Sequence, residues 1–223
     1  MTWVTADSHR ARPVPNAVEE VALQEAGYSV VAGLDEVGRG AWAGPLVAAA
    51  VVVPPLGHDV PEALVGVRDS KVLTSERRVE VFHQLLVSDC SLGVGFVSSI
   101  ELDLLGLTAA NELAMMRALE SLPIEPEALL VDAFRLRSWS GPQKGIVYGD
   151  ARCVSIAAAS VVAKVVRDRW MVRLDSHYPG YGLAGHKGYG VPSHRRALDR
   201  LGPSAIHRRS YGPVAALVTS EPV

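Results

Sequence analysis

Cysteine is almost absent from this chain of 223 residues. The two present, Cys90 and Cys153, have no CxxC or zinc-type spacing. Both sit among apolar residues and are expected to be buried thiols, and nothing argues for an oxidising compartment. Long apolar runs are missing too: none reaches the roughly 18 residues that a membrane span needs. The N-terminal residues lack the apolar stretch and cleavage site of a secretory leader. No internal repeat appears. We therefore expect a cytoplasmic protein with no membrane partner.

What remains is ordinary in bulk. Hydrophobic content is 48%, charged content is 21% and the formal net charge is -2, a globular balance. A chain this long can bury roughly 70–75% of its unfolded surface, so it needs no disulfide or structural metal. The charge is unevenly spread. From Lys164 to Arg209 there are ten Lys or Arg against three acids, Asp168, Asp175 and Asp199. A basic end on an acidic protein suggests a surface that faces nucleic acid; a solvated basic helix face is the plainer alternative.

Residues 1–16 read as a mobile tail and 17–26 as a short helix ending at Gly27. Strands are expected at Tyr28–Leu34 and Leu46–Val53, joined by a short glycine-rich link that suits an antiparallel pair. Pro54 to Gly66 reads as loop. Thr74 is a helix cap, with Val79, Phe82, Leu85 and Leu86 on the inward face. Leu92–Val97 reads as a strand, and Thr108–Ser121 as a helix packed through Ala109, Leu113, Met116 and Leu119. Ala128–Asp132 and Gly145–Asp150 read as strands ending in acids. Ser155–Arg173 is a long helix opened by Ser155. Glycine-rich loop follows, broken by a helix at Ser193–Leu201, and Val214–Val223 carries no strong signal. Strands in a run that then alternate with helices predict an α/β fold, a mixed sheet with helices on its faces.

Three of these strands end in carboxylates: Asp35 with Glu36, Asp132, and Asp150. Ligand sites in open α/β sheets lie beyond the carboxyl ends of strands. Four acids meeting there cannot all ionise without a cation. Oxygen ligands with no matching His or Cys suit Mg²⁺ or Mn²⁺ rather than zinc. Such a cluster serves phosphoryl transfer, with two metals clamping the attacking and leaving oxygens. In a regular strand Asp35 and Glu36 point to opposite faces, so sharing one site requires the strand to end or bulge there. A lone acid at a strand end is more often a turn or cap residue. Gly38-Arg39-Gly40 follows the first pair, and glycines let a backbone approach a ligand closely.

The run from Gly33 to Gly40, Asp69-Ser70-Lys71, the stretch Ser155 to Arg169, His186 to Gly190 and His207 to Tyr211 together resemble ribonuclease HII, the bacterial type 2 ribonuclease H. The resemblance spans about residues 28–212, with five motifs in order. It implies a ribonuclease H-like mixed β-sheet flanked by helices, with a small helical C-terminal part. The implied division is an N-terminal extension with a short helix (1–27), a catalytic domain (28–173) and a C-terminal region completing the substrate groove (174–223). The implied activity is endonucleolytic cleavage of RNA in RNA–DNA hybrids, and 5′ of ribonucleotides embedded in duplex DNA, leaving 3′-hydroxyl and 5′-phosphate ends. Asp35, Glu36, Asp132 and Asp150 match the family's catalytic, metal-binding acids, with two Mn²⁺ or Mg²⁺ implied alongside substrate. Gly38, Arg39 and Gly40 match the turn that reads the ribose 2′-hydroxyl, the group that separates RNA from DNA. Tyr189 matches a tyrosine that packs on the neighbouring deoxyribose.

Lys71, Lys164 and Arg169 are candidates for backbone phosphates, a salt-dependent contribution; Lys164 and Arg169 equally suit a solvated helix face. His186 and His207 are given no catalytic role. A monomer acting on nucleic acid is expected. The sequence departs from the family pattern at Val37, at Ala41-Trp42 and at Val72. Two other readings stay open. Gly38, Gly40 and Gly44 after a strand nearly match a dinucleotide-binding fingerprint, although two acids precede them and Leu46–Val53 looks like a strand where a helix is needed. A non-catalytic hybrid-binding protein is the third.

Overall fold

Helices cover both faces of a mixed sheet, as the alternation of elements predicts. The computed structural model describes residues 14–55, 64 and 66–218; most of the tail expected at 1–16 and most of the loop expected at 54–66 lie outside them. The strands are β1 (Val31–Val37), β2 (Leu46–Val52), β3 (Ser91–Val97), β4 (Ala128–Asp132) and β5 (Gln143–Ile146). They lie in the order β3-β2-β1-β4-β5. β2 pairs antiparallel with both β1 and β3, while β4 pairs parallel to β1 and β5 parallel to β4. β2 is buried at every position, which is why its sequence is an unbroken apolar run and not an alternation.

The helices are α1 (Val18–Glu25), α2 (Ser75–Leu86), α3 (Ser99–Leu105), α4 (Leu107–Glu120), α5 (Val154–His177), α6 (Leu183–His186), α7 (Pro192–Leu201) and α8 (Gly212–Val218). α5 packs on one face of the sheet, with Ala49, Val51, Ala158 and Val162 in a shared core. α4 packs on the other, with Ala48, Ala50, Ala114 and Ala118. The buried face of α4 is Ala110, Asn111, Ala114, Met115, Ala118 and Leu119; of the expected Ala109, Leu113, Met116 and Leu119 only Leu119 is on it, and Ala109 is exposed. The reason lies in β3: a Cβ on Gly93 or Gly95 would overlap the carbonyls of Ala118 and Ala114. Small residues on both sides let helix and sheet approach closely, so the smallest side chains define the inner face. α2 keeps Phe82 and Leu85 of its expected face and adds Val81, while Leu86 is exposed. Its cap is the expected Thr74, which accepts from Arg77 N at 3.2 Å.

α5 starts one residue before the expected Ser155 and runs on to His177. The expected domain limit at 173 therefore falls inside this helix. Ser155 does not cap it; its N–H and hydroxyl both donate to the buried Glu20 of α1, at 2.9 and 2.6 Å. α3 was not expected, although Ser98 and Glu101 form a capping box ahead of it. α8 occupies residues without a sequence signal. α6, α7 and α8 surround a third core, where Leu183, Leu198 and Val214 meet Met171 of α5 and Ala43. The C-terminal part is thus built onto the segment that directly follows Gly38-Arg39-Gly40.

Candidate active site

β1 is the middle strand, and its last residues carry Asp35 and Glu36. The parallel register pairs Leu34 with Val131, so one step further along places Asp35 level with Asp132. No bulge brings Asp35 and Glu36 together: Asp35 pairs with Ala49, Glu36 with Ala48 and Val37 with Val47 in regular register. Ala49 belongs to the α5 face and Ala48 to the α4 face. The two acids keep opposite faces, and the common ground is the sheet's edge, where both faces end. Asp150 does not end a strand. β5 stops at Ile146, and Asp150 lies in a 3-10 turn, Gly149–Ala151, ahead of α5. Gly149 N donates to Asp132 Oδ1 at 2.8 Å and ties that turn to β4. Ala133 and Tyr148, with φ of 55° and 56°, adopt left-handed backbone beside these acids, a strain that concentrates at functional sites.

Electrostatics mark the same spot. Burial, then the neighbouring Glu36, Asp132 and Asp150, push the Asp35 carboxyl well above its ordinary value. Burial raises Glu36 as well, opposed by Arg39. Asp132 is raised by burial, opposed by the Gly149 amide. Two cations of the chain partly compensate. Arg39 Nη1 lies 3.1 Å from Glu36 Oε1, and Lys71 Nζ lies 3.1 Å from Asp150 Oδ2. Burial is the largest single influence on the Lys71 ammonium and works to lower it, but the hydrogen bond to Asp150 together with the charges of Asp150, Asp69 and Asp35 outweighs it, and the net shift is upward. Asn111 approaches Glu36 from α4, yet the buried Glu36 Oε2 and Asn111 Oδ1 complete no hydrogen bond.

The turn is held from behind by two arginines that the sequence reading passed over. Arg167, fully buried in α5, donates to the carbonyls of Pro45, Lys187 and Ala43 at 2.9, 3.0 and 3.2 Å. Arg208, equally buried, donates to Gly38 O at 2.6 Å, Arg39 O at 3.0 Å and Gly44 O. Gly38 has φ +92°, and a Cβ there would overlap Arg167 Nε. Gly40 differs: no atom lies within 4 Å of where its Cβ would be, so nothing inside the protein demands glycine there. Arg39 itself folds inward, pairing with Glu36 and lying 4.6 Å from the Phe134 ring centre.

Comparison with known proteins decides the family. The model of the family described as Ribonuclease HII matches residues 32–214. The chain belongs to the ribonuclease HII family. The ribonuclease HII of Chloroflexus aggregans is 50% identical over 204 residues, covering 92% of this chain and 96% of the relative. The solved ribonuclease H2 of Pyrococcus horikoshii is 28% identical with a TM-score of 0.70, covering 84% of this chain and 96% of that one. Bst-RNase HIII, solved in complex with Mn²⁺, shares the fold at a TM-score of 0.65 and 20% identity, over 97% of this chain and 78% of that one. Membership makes the protein a ribonuclease H-type endonuclease, a nuclease of RNA–DNA hybrids. The dinucleotide reading falls: β2 stands where that fingerprint needs a helix.

The remaining residues expected from the ribonuclease HII resemblance divide in three. Lys71 joins the acids. Lys164 and Arg169 line a groove of about 630 Å³ between α2, α5 and α6, together with Arg78, Arg173 and Lys187. Within it Lys164 pairs with Asp168 at 2.8 Å, and Arg169 lies over Phe82. Tyr189 is half-buried between groove and turn, its ring centre 5.9 Å from Lys164 Nζ and 5.3 Å from Arg167 Cζ. Trp42 packs on Gly190 and near the His194 ring, not over the turn.

Among the described residues no three carboxylate, imidazole or thiolate groups close into a ready-made ion cage, and Arg39 and Lys71 pair with two of the four acids. The donor chemistry nevertheless fits a hard divalent cation. All four acids offer oxygen, Asp35 is raised by burial and then by like charges, and Glu36 Oε2 is buried without a hydrogen-bond partner. A cation relieves the last two conditions at once.

Proposed function

We propose that this ribonuclease HII family member is a divalent-metal-dependent endonuclease that cuts the RNA strand of hybrids and 5′ of ribonucleotides embedded in duplex DNA. The observation that carries it is the crowding of Asp35, Glu36, Asp132 and Asp150 at the β1 and β4 ends, with Asp35 raised by burial and then by the other three. Asp35, Glu36, Asp132 and Asp150 would hold Mg²⁺ or Mn²⁺, the latter being the ion bound by Bst-RNase HIII. Bound there, the metals supply Lewis-acid stabilisation of the attacking and leaving oxygens of a phosphodiester.

The chain's own groups do the rest. The Gly38–Gly40 turn presents backbone to the ribose, and the open space at Gly40 leaves room for a sugar to approach. Tyr189 offers a ring face to the neighbouring deoxyribose, where a 2′-oxygen would be crowded. Lys164 and Arg169 lie in a basic groove suited to phosphates, and Lys71 stands beside the acids for the phosphate nearest the cut. The products carry 3′-hydroxyl and 5′-phosphate ends, the role is removal of ribonucleotides from DNA, and the protein acts as a monomer in the cytoplasm. A duplex with one embedded ribonucleotide tests this. Cleavage 5′ of the ribonucleotide that depends on Mg²⁺ or Mn²⁺ is expected. Equal cleavage of all-DNA duplex, or full activity in excess chelator, would overturn it.

A further inference from the structure

Behind Tyr189 lies a cluster that the reading above does not use. His186, His194 and His207 pack together in the C-terminal part, His194 and His207 buried. The rings of His186 and His194 stack at 4.3 Å, and His194 Nε2 lies 3.1 Å from His207 Nε2. Their partners determine every proton. Ser204 N donates to His207 Nδ1 at 3.0 Å, so the His207 proton is on Nε2 and points at His194 Nε2. His194 must then accept there, and its own proton sits on Nδ1, 3.1 Å from the Tyr189 carbonyl. Gly188 N donates to His186 Nδ1 at 3.1 Å, and His186 Nε2 gives its proton to Tyr181 O at 2.8 Å. The result is a one-way chain of neutral imidazoles, from Ser204 through His207 and His194 to Tyr189.

Its two ends clasp one segment. Residues 41–44, which leave the sugar-reading turn, receive Gly188 on one side: Trp42 N donates to Gly188 O at 2.8 Å. On the other side Gly44 N donates to Ile206 O at 2.9 Å and Arg208 N to Trp42 O at 2.8 Å. Lys187, next in line, is held in left-handed backbone at φ 53°. The relay therefore joins the Tyr189 flank to the Arg208 flank behind the segment both of them grip.

We infer that His194, its tautomer fixed by His207, is a positioning residue that sets Tyr189 against the Gly38–Gly40 turn, and so tunes the preference for a ribonucleotide followed by deoxyribose over a continuous RNA strand. The inference rests on the proposed sugar contact of Tyr189. Two side chains separate positioning from bulk packing. His194→Asn keeps an N–H directed at the Tyr189 carbonyl and loses the His207 contact; His194→Gln keeps an acceptor for His207 and loses the Tyr189 contact. Both delete the ring. The readout is the ratio of kcat/KM on a single-ribonucleotide duplex to that on a long hybrid. It should fall about tenfold in His194→Gln, the equivalent of one hydrogen bond, and stay within about twofold of the parent in His194→Asn.

Equal ratios in the two variants overturn the inference. Nitrogen-correlated NMR of the imidazoles at neutral pH gives an independent check. A proton on Nδ1 of His194 and on Nε2 of His186 and His207 is expected, and the opposite tautomer at His194 or His207 overturns it. Tyr189→Ala serves as the control. An unchanged ratio there overturns the sugar contact and the inference with it. A changed ratio there with an unchanged ratio in His194→Gln overturns the relay alone.

Discussion

At the strand ends four carboxylates crowd together, and behind Tyr189 three imidazoles do the same. Both groups are buried and titratable, yet they are resolved in opposite ways. Each imidazole gives its proton to an acceptor and takes one from a donor, and burial together with its neighbours holds His207 down at about 4. The carboxylates have no such closure. Asp35 is pushed up, and Glu36 Oε2 has no hydrogen to accept. A buried polar cluster that satisfies itself is a device for holding geometry; one left short of positive charge is a site for a ligand that brings it.

The comparison breaks hardest at Asp35. Asp35→Asn should lose at least about a thousandfold in hybrid cleavage. Because it removes a buried, repelled charge, the metal-free variant should also melt a few degrees higher, at roughly 2–4 °C per kcal/mol for a chain of this size. His207→Ala should do the reverse to stability, losing about 2–3 kcal/mol in denaturant titration because its donor and acceptor partners are left bare.

The turn offers the next contrast. Gly38→Ala forces a side chain into Arg167 at positive φ and should cost about 2–3 kcal/mol by the same titration. Gly40→Ala has open space and should change stability by less than about 0.5 kcal/mol, while cleavage of the embedded ribonucleotide falls.

Acid should separate the clusters in the metal-free protein. Asp35, Glu36 and Asp132 have raised folded values. Their contribution to stability is therefore present below the ordinary carboxylate range and is lost as pH rises through the folded values. His207 is depressed to about 4. Its contribution is present above about 6.5 and is lost as pH falls toward 4. Melting followed from pH 7 to 4 in chelator should therefore drop more steeply for Asp35→Asn than for the parent, and less steeply for His207→Gln. The smallest effect is at the groove: Lys164→Ala should weaken binding of all hybrids alike and lower the salt slope by about one.

Much of this geometry was legible in advance. Tyr28 to Leu34, running into Asp35 and Glu36, and Ala128 to Asp132 read as strands leading into acids because apolar runs stop there, and the parallel pairing sets the two ends level. Asp150 was found as an acid but placed on the wrong element, since Gly145 to Asp150 gives no sign that the strand breaks after Ile146. Arg167 and Arg208 escaped notice because a cation in sequence looks solvated. Only the fold shows that each fills its donors with main-chain carbonyls. Asn111 was hidden because the inner face of α4 is set by the glycines of β3, which a rule favouring large apolar residues does not see. The imidazole chain needs residues from three places in the sequence, and no local pattern joins them.

The central claim is that the strand-end carboxylates are short of positive charge, and that this shortage is the active site. Thermal melting of the parent and of Asp35→Asn, each in chelator and then in Mn²⁺, tests it without any substrate. The account predicts that Asp35→Asn melts above the parent in chelator, and that Mn²⁺ raises the parent by several degrees while moving the variant little. A variant that melts below the parent in chelator, together with equal shifts of both proteins by Mn²⁺, would contradict it.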